Sequence, residues 1–325
     1  MLKMSLAVLL TVFVSWPALA ADKVILMLNW YVYSEHAPFY YGKEKGLYSD
    51  EGIDLEIQEG RGSATVTQVV AANTVQFGYV DVPTMMRATV KGAPVIAVGV
   101  ALQTNPMAAM GFAEKGIRSP ADIKGKTVIT GPGDSLTQIW PLFLKKTGLK
   151  ESDFTTLSGD SNMKLNSVIN GQADLLLGYV MDQSMKIKDV TGKDVYPIKW
   201  ADYGVNLVGS GIVANTTFVK ANPDLVRRFM LATTKAIELA TRDPKGAAQA
   251  ILNANPKGGK IETLTQGFEL TIPLYADPTG ESSRPLRVSE QNMNDTVNVM
   301  IGYGGLDAKA KGHASDFYTN EYLPK

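Results

Sequence analysis

Apolar and polar positions along the chain fall into short strand-like runs that alternate with helical ones. Val24 to Leu28 is a continuous apolar run of strand length, and Asp54 to Gln58 alternates with the period of a half-buried strand. Gln76 to Val80, Val95 to Leu102, Thr127 to Thr130 and Ala173 to Val180 repeat the strand signal. Between them, Pro38 to Lys45 carries helical periodicity and stops at Gly46, and Ser63 to Asn73 and Ser135 to Thr147 also read as helices. Asn222-Pro223-Asp224 then combines an N-cap, a first-turn proline and an acidic first turn. After it, Val226, Phe229, Met230, Ile237 and Ala240 fall close to one helical face. Asp243-Pro244 opens the next helix in the same way. Strands alternating with helices predict an α/β fold with mainly parallel sheet covered on both faces.

The extreme N-terminus breaks this pattern. Lys3 precedes a nearly continuous apolar run from Ser5 to Ser15, Trp16-Pro17 interrupts it, and Ala18-Leu19-Ala20 supplies small-x-small. Residues 1–20 therefore read as a signal peptide cleaved after Ala20. The run is shorter than the roughly 20 apolar residues of a membrane span. No Cys follows that could carry a lipid. The expected mature chain is free, soluble and periplasmic. It is about 305 residues long, room for two domains.

Composition narrows the function. Without the signal the chain has 31 basic and 32 acidic side chains, so no basic surplus recruits nucleic acid or a membrane surface. The absence of Cys excludes thiol catalysis, disulfides and Cys-based metal sites. His36 and His313 are the only histidines, no His pair stands at metal-ligand spacing, and no Gly-x-Ser-x-Gly elbow is present. No catalytic residue, metal or cofactor is expected.

An internal echo suggests organisation. Val75-Gln76-Phe77-Gly78-Tyr79-Val80-Asp81 resembles Leu175-Leu176-Leu177-Gly178-Tyr179-Val180-Met181-Asp182. Each follows a helix ending in a turn, at Asn73-Thr74 or Asn170-Gly171, and each has a carboxylate just past Gly-Tyr-Val. Ligands of parallel α/β sheets gather at the carboxyl ends of strands. The echo therefore suggests two similar lobes facing one cleft.

Three stretches carry candidate chemistry. Asn29 to Tyr41 holds one Trp, four Tyr, one Phe and a His, a surface suited to stacking and orienting a planar ligand. Asn29 and Trp30, at a strand end, are expected in the site, and Phe39, Tyr40 and Tyr41 in the packing. His36 either touches ligand or caps the following helix. Gly60-Arg61-Gly62-Ser63-Ala64-Thr65 leads from a strand into a helix, where free N–H groups and hydroxyls can hold an anion or a carbonyl oxygen. It lacks the Gly-Lys-Ser/Thr ending of a Walker loop, and an ordinary N-cap by Ser63 explains half the pattern. Gly131-Pro132-Gly133-Asp134-Ser135-Leu136-Thr137 repeats the arrangement.

At Trp30, His36-Ala37-Pro38 and Lys45-Gly46-Leu47-Tyr48, followed by Glu51-Gly52-Ile53-Asp54-Leu55-Glu56, the chain resembles a known family. The pattern continues through the Gly-Ser loop, Phe77-Gly78, Asp81, Gln103, Ala201 to Asn206 and Asn222 to Phe229. It is similar to the solute-binding proteins of ABC importers, in the branch related to thiamine-pyrimidine synthases and neighbouring the taurine, alkanesulfonate and nitrate binders. The resemblance covers about Val24 to Ala250.

That resemblance implies a two-lobed periplasmic binding protein fold of type II with a two-strand hinge. Lobe I would comprise residues 21–106 and 208–325, and lobe II residues 107–207. The chain would leave lobe I near Gln103 to Met110 and return near Tyr203 to Ser210, and hinge closure would trap ligand. The ligand-binding positions carried over are Asn29, Trp30, His36, Ser63, Thr65, Asp81 and Gln103 in lobe I. In lobe II they are Gly133, Asp134, Ser135, Tyr179 and Asp182. Asp182 stands where the family pattern has Glu, one methylene longer, which implies a different ligand or a closer lobe. The implied partners are a small-molecule ligand and the permease and ATPase subunits of an ABC transporter, with the protein itself a monomer.

The synthases of the same branch carry a Cys-rich motif and use a pyridoxal-type cofactor, and the absence of Cys and the export signal weigh against that activity. Two ligand classes stay open. A flat heterocycle would stack on Trp30 and a Tyr, with Asp182 accepting its N–H groups. A small sulfonate would sit on the two glycine loops with Arg61 as its cation. Carboxylates at Asp81, Asp134 and Asp182 oppose an anion and favour the heterocycle.

Overall fold

The computed structural model describes residues 20–325. Apart from Ala20, the expected export signal lies outside the described residues. The strand–helix alternation first builds β1 (Asp22–Met27), α1 (Ala37–Glu44), β2 (Ile53–Gln58), α2 (Ser63–Ala71), β3 (Phe77–Asp81), α3 (Val82–Thr89) and β4 (Val95–Val100). It then builds β5 (Met107–Phe112), β6 (Thr127–Thr130), α4 (Ser135–Thr147), β7 (Thr155–Ser158), α5 (Ser161–Ile169), β8 (Leu175–Tyr179), α6 (Gln183–Thr191) and β9 (Val195–Lys199). Strand β10 (Ser210–Asn215) follows, with helices α7 (Thr216–Ala221), α8 (Pro223–Arg242), α9 (Pro244–Ala254), α10 (Ile261–Thr271) and α11 (Glu290–Val299).

Two five-stranded sheets result, in the orders β2-β1-β3-β10-β4 and β7-β6-β8-β5-β9. They are mixed rather than simply parallel. In the first, β1 pairs in parallel with β2 and β3, while β10 is antiparallel to β3 and β4. In the second, β6 pairs in parallel with β7 and β8, while β5 is antiparallel to β8 and β9. The reversed strand in each sheet is the one that enters from the other sheet. The remaining strands run toward that crossing, so an incoming strand must run against them.

The chain crosses twice, after β4 and after β9, and the two crossing segments are hydrogen-bonded to each other. Asn105 N donates to Leu207 O at 2.9 Å and Gly209 N to Leu102 O at 2.7 Å. The echoing strands β3 and β8 occupy the same place, the centre of their sheets. Both are buried along their whole length, so their strand ends meet at the cleft between the sheets.

Packing explains the long C-terminal helices. The periodic face of α8, with Val226, Phe229, Met230, Ile237 and Ala240, is buried. Phe229 stacks on Phe77 of β3 with ring centroids 4.0 Å apart and planes 8° apart. Around the second sheet, Phe143 stacks on both Trp140 and Trp200, and the two indoles meet at a tilt. Strands β7 and β9 are edge strands, β7 mostly exposed and β9 containing Pro197. Neither carries the apolar pattern that marks β1, β3 or β8, because β7 buries no position and β9 buries Ile198 alone.

Candidate functional site

The facing strand ends line a partly open cavity of about 340 Å³, a volume that includes open solvent. The first sheet contributes Asn29, Trp30, Tyr33, Gly62 and Ser63. The second contributes Asp134, Ser135, Leu136, Lys164, Tyr179, Asp182 and Gln183. The two sides touch around it. Ala64 N donates to Gly133 O at 3.3 Å, Ser34 Oγ to Met181 O at 3.0 Å, and Tyr31 Oη to Asp182 Oδ2 at 2.7 Å. The lobes are in a closed arrangement.

On the first side, Asn29 follows β1 and is oriented from behind. His36 is buried at the N-cap of α1 and does not line the cavity. Its Nδ1 accepts from Tyr33 N at 3.4 Å, so Nε2 carries the proton and donates to Asn29 Oδ1 at 2.8 Å. The Asn29 carbonyl oxygen is thereby engaged, leaving its amide hydrogens to face the cleft. Burial, helped by the charge of Lys186, pushes the His36 pKa down to about 3, and the ring is neutral at physiological pH.

Beneath it lies a carboxylate that sequence reasoning missed. Glu35 is buried and accepts from the phenols of Tyr33 and Tyr79, the latter at 2.6 Å. Burial raises its pKa, against the opposing effect of the two phenols. The pattern Tyr-x-Glu had no distinguishing signal, since only the fold brings Tyr79 of β3 over Glu35.

Ser63 opens α2 and lines the cavity, and its Oγ accepts from Asp81 N at 3.1 Å. Asp81 itself sits one layer deeper. It caps α3, with Oδ1 accepting from Thr84 N at 2.9 Å and Thr84 Oγ1 at 2.6 Å, while Oδ2 is buried without a partner. Burial pushes its pKa up to about 7 against the pull of the Thr84 hydrogen bonds. Thr65 is exposed on α2 and lies outside the cavity lining. Gln103 is buried in the first crossing segment, where its Nε2 donates to Val100 O at 2.8 Å and its Oε1 accepts from Asn292 Nδ2 at 3.3 Å. It ties the hinge to the C-terminal helix α11 and does not reach the cavity.

On the second side, Gly133 holds φ at +76° and puts its carbonyl against the first lobe, and Asp134 caps α4 through Thr137 N at 2.7 Å. Its other oxygen accepts from Lys164 Nζ at 2.7 Å, and both side chains are buried. Lys164 also stands over the Trp30 ring, 5.7 Å from the centroid. Ser135 Oγ and Tyr179 Oη share a 2.8 Å hydrogen bond. Asp182 Oδ2 receives Tyr31 Oη and Gln183 Nε2, and Oδ1 approaches Lys186 Nζ at 3.4 Å. Lys186 in turn lies 3.5 Å above the Tyr31 ring. Lys164, Gln183 and Lys186 were not legible as site residues because each sits on a helix face of ordinary surface composition.

Arg61 lies outside this cavity, in a wider opening shared with Trp30, Tyr31, Glu59, Pro132, Asp160 and Ser161. Among the described residues no group of His, Asp and Glu could hold a metal ion. No described helix is long and apolar enough to cross a membrane.

Known proteins with this architecture include both enzymes and binders. A 4-amino-5-hydroxymethyl-2-methylpyrimidine phosphate synthase of Legionella pneumophila is 24% identical over 315 residues, covering 93% of each chain. The formylaminopyrimidine-binding protein of Halalkalibacterium halodurans is 25% identical over 297 residues, covering 90% of this chain and 83% of that protein. The solved alkanesulfonate-binding protein SsuA of Xanthomonas axonopodis pv. citri, bound to MOPS, superposes with a TM-score of 0.67 at 16% identity, covering 95% of this chain and 96% of that one. The fold is that of the periplasmic binding proteins. A family model described as NMT1/THI5 like matches residues 33–247, and with most of the described chain inside that match, the protein belongs to the NMT1/THI5-like family.

Proposed function

We propose that the protein is the substrate-binding component of an ABC-type importer, capturing a small planar polar heterocycle of pyrimidine type between its lobes. The observation that carries this reading is a pair of buried polar atoms on cavity-lining residues without hydrogen-bond partners. They are Trp30 Nε1, a donor, and Asp182 Oδ1, an acceptor whose nearest charge is Lys186 at 3.4 Å. A ring that carries both an acceptor and an N–H donor satisfies both, and leaving either unmade costs about 1–3 kcal/mol. The Trp30 ring offers the stacking face. The same pairing supports a pyrimidine more than a sulfonate, which has no donor for Asp182. Arg61, the cation expected to serve an anion, belongs to the outer opening instead.

Binding rather than turnover is the proposed activity. The residues present do not fit a pyridoxal-type cofactor: the lysine lining the cavity, Lys164, is engaged by Asp134, and the chain contains no Cys. The proposed location is the periplasm, after removal of residues 1–20, with the permease and ATPase of the importer as partners. Lobe I is proposed to span residues 21–106 and 208–325, and lobe II residues 107–207.

A thermal-shift screen of the mature protein tests the reading, since a ligand of the native state raises Tm by mass action. Aminopyrimidines should raise Tm, and ethanesulfonate should not. Product formation from a pyrimidine precursor, or a shift with ethanesulfonate alone, would overturn it.

A further inference from the structure

We propose that Lys164 is a specificity-determining residue of the cleft and that it selects ligands bearing a neutral carbonyl oxygen. The inference rests on the heterocycle reading and adds a second recognition element to it. An ammonium has three hydrogens to donate. Lys164 uses one, on Asp134 Oδ2 at 2.7 Å, with no other hydrogen bond to the described residues. Its side chain is 3% exposed, so bulk water does not serve the others. The residue lines the cavity, and Nζ stands 5.7 Å from the centroid of the Trp30 ring. A ligand stacked on Trp30 would therefore lie beside an ammonium with donors to give.

No second acceptor among the described residues is bonded to Lys164 Nζ, so its other hydrogens are left for an acceptor on the ligand. Asp134 Oδ1 takes Thr137 N and its Oδ2 takes Lys164 Nζ. Asp134 is matched by Lys164 rather than free to repel an anion. The cavity then has a donor end at Lys164 and an acceptor end at Asp182.

Charge decides between a carbonyl and an anion. Lys164 is already balanced by Asp134, and Lys186 by Asp182. A carboxylate or sulfonate placed at Lys164 would add an uncompensated negative charge in a buried site, beside Asp134. A carbonyl oxygen accepts the same hydrogen without that penalty. The matching ligand is a ring with an amide-type carbonyl at the Trp30–Lys164 end and an N–H donor at the Asp182 end.

Calorimetric titration of the full mature chain with two probes tests this. The probes are 4-aminopyrimidine-5-carboxamide and 4-amino-5-methylpyrimidine, which differ in the carbonyl. The wild type should prefer the carboxamide by about tenfold, the scale of one hydrogen bond to a charged group. The double variant Lys164→Met with Asp134→Asn removes both charges together and keeps an N-cap on α4, so neither partner is left as a buried lone ion. Its preference should fall to within about twofold. A preference that persists in the double variant, or is absent in the wild type while both rings bind, overturns the assignment of Lys164. If neither ring binds the wild type, the heterocycle reading falls and this inference falls with it.

Discussion

Tyr31 Oη donates a 2.7 Å hydrogen bond to Asp182 Oδ2, joining the loop after β1 to the start of α6 across the cleft. Lys186 covers the Tyr31 ring from the same lobe as Asp182. The hydroxyl and the ring therefore hold the closed form by separable contacts. Tyr31→Phe keeps the ring beneath Lys186 and removes the hydrogen bond. A hydrogen bond to a charged group contributes about 1.5–3 kcal/mol. The dissociation rate of bound ligand should rise about tenfold or more, with a much smaller change in association. Stopped-flow fluorescence measures both rates. An unchanged dissociation rate would show that this bond does not hold the lobes together.

Closure itself has a test in Gly62. Its φ of 111° is available to glycine and strained for other residues. A Cβ there would come within 2.4 Å of Gly133 O in the other lobe. Gly62→Ala therefore obstructs the contact of the two loops while leaving each sheet alone. Affinity should fall about tenfold or more, and the radius of gyration from solution scattering should stop shrinking when ligand is added. Compaction equal to that of the wild type would mean the loops do not meet on closure.

Much of this architecture was legible because it is written in buried positions. Strands β3 and β8 are buried along their whole length, β1 buries alternate positions and α8 buries one face, so their apolar patterns survive in the sequence. The Gly-Tyr-Val echo marked the two sheet centres for the same reason. The edge strands β7 and β9 left no such trace. Site residues divide along similar lines. Asn29, Trp30, Ser63, Asp134, Ser135, Tyr179 and Asp182 follow strand ends or open helices, positions that sequence can locate, and all line the cavity. Asp81 and His36 come from the same logic but lie one layer behind, supporting Ser63 and Asn29. Lys164 was invisible because its role depends on Asp134, 30 residues away, and on Trp30 from the other lobe.

The deeper layer predicts a pH effect. Asp81 has its pKa raised from 3.8 to about 7, chiefly by burial. The folded state thus binds this proton more tightly than the unfolded state. Its stabilising contribution is complete below about pH 4 and is lost as pH rises to about 7. Asp81→Asn retains an N-cap for Thr84 and never ionises. Its Tm should exceed that of the wild type by several degrees at pH 8, and the gain should vanish near pH 4. Scanning calorimetry at the two pH values measures the difference. An equal gain at both would place the effect in packing instead.

His36 has the opposite sign. Its folded pKa of about 3 lies below the ordinary 6.5. The unfolded state therefore takes the proton first, and stability present above about pH 6.5 is lost as pH falls toward 3. His36→Leu leaves Asn29 Oδ1 without its 2.8 Å donor, which costs about 1–3 kcal/mol at pH 7. The variant should melt lower than the wild type at pH 7, and the gap should narrow between pH 6 and pH 4. A gap of constant width would mean that His36 is not held neutral by the fold.

Asp182 separates the two ligand classes most sharply. Its carboxylate accepts Tyr31 Oη and Gln183 Nε2 on one oxygen and leaves the other at the cavity. Asp182→Asn is nearly isosteric, so the lobes can still close. It removes one negative charge and replaces a carboxylate oxygen with a donor group. A ligand that presents N–H groups loses a charge-assisted hydrogen bond, and its affinity should fall about 10- to 100-fold. An anion would instead lose a repelling neighbour, and Lys186, no longer paired by Asp182 at 3.4 Å, would add attraction. Titration of the wild type and the variant with 4-amino-5-methylpyrimidine and with ethanesulfonate therefore gives opposite signs for the two readings. Weakened pyrimidine binding with no gain for ethanesulfonate supports the heterocycle. Tighter ethanesulfonate binding with unchanged pyrimidine binding would transfer the cleft to organic anions.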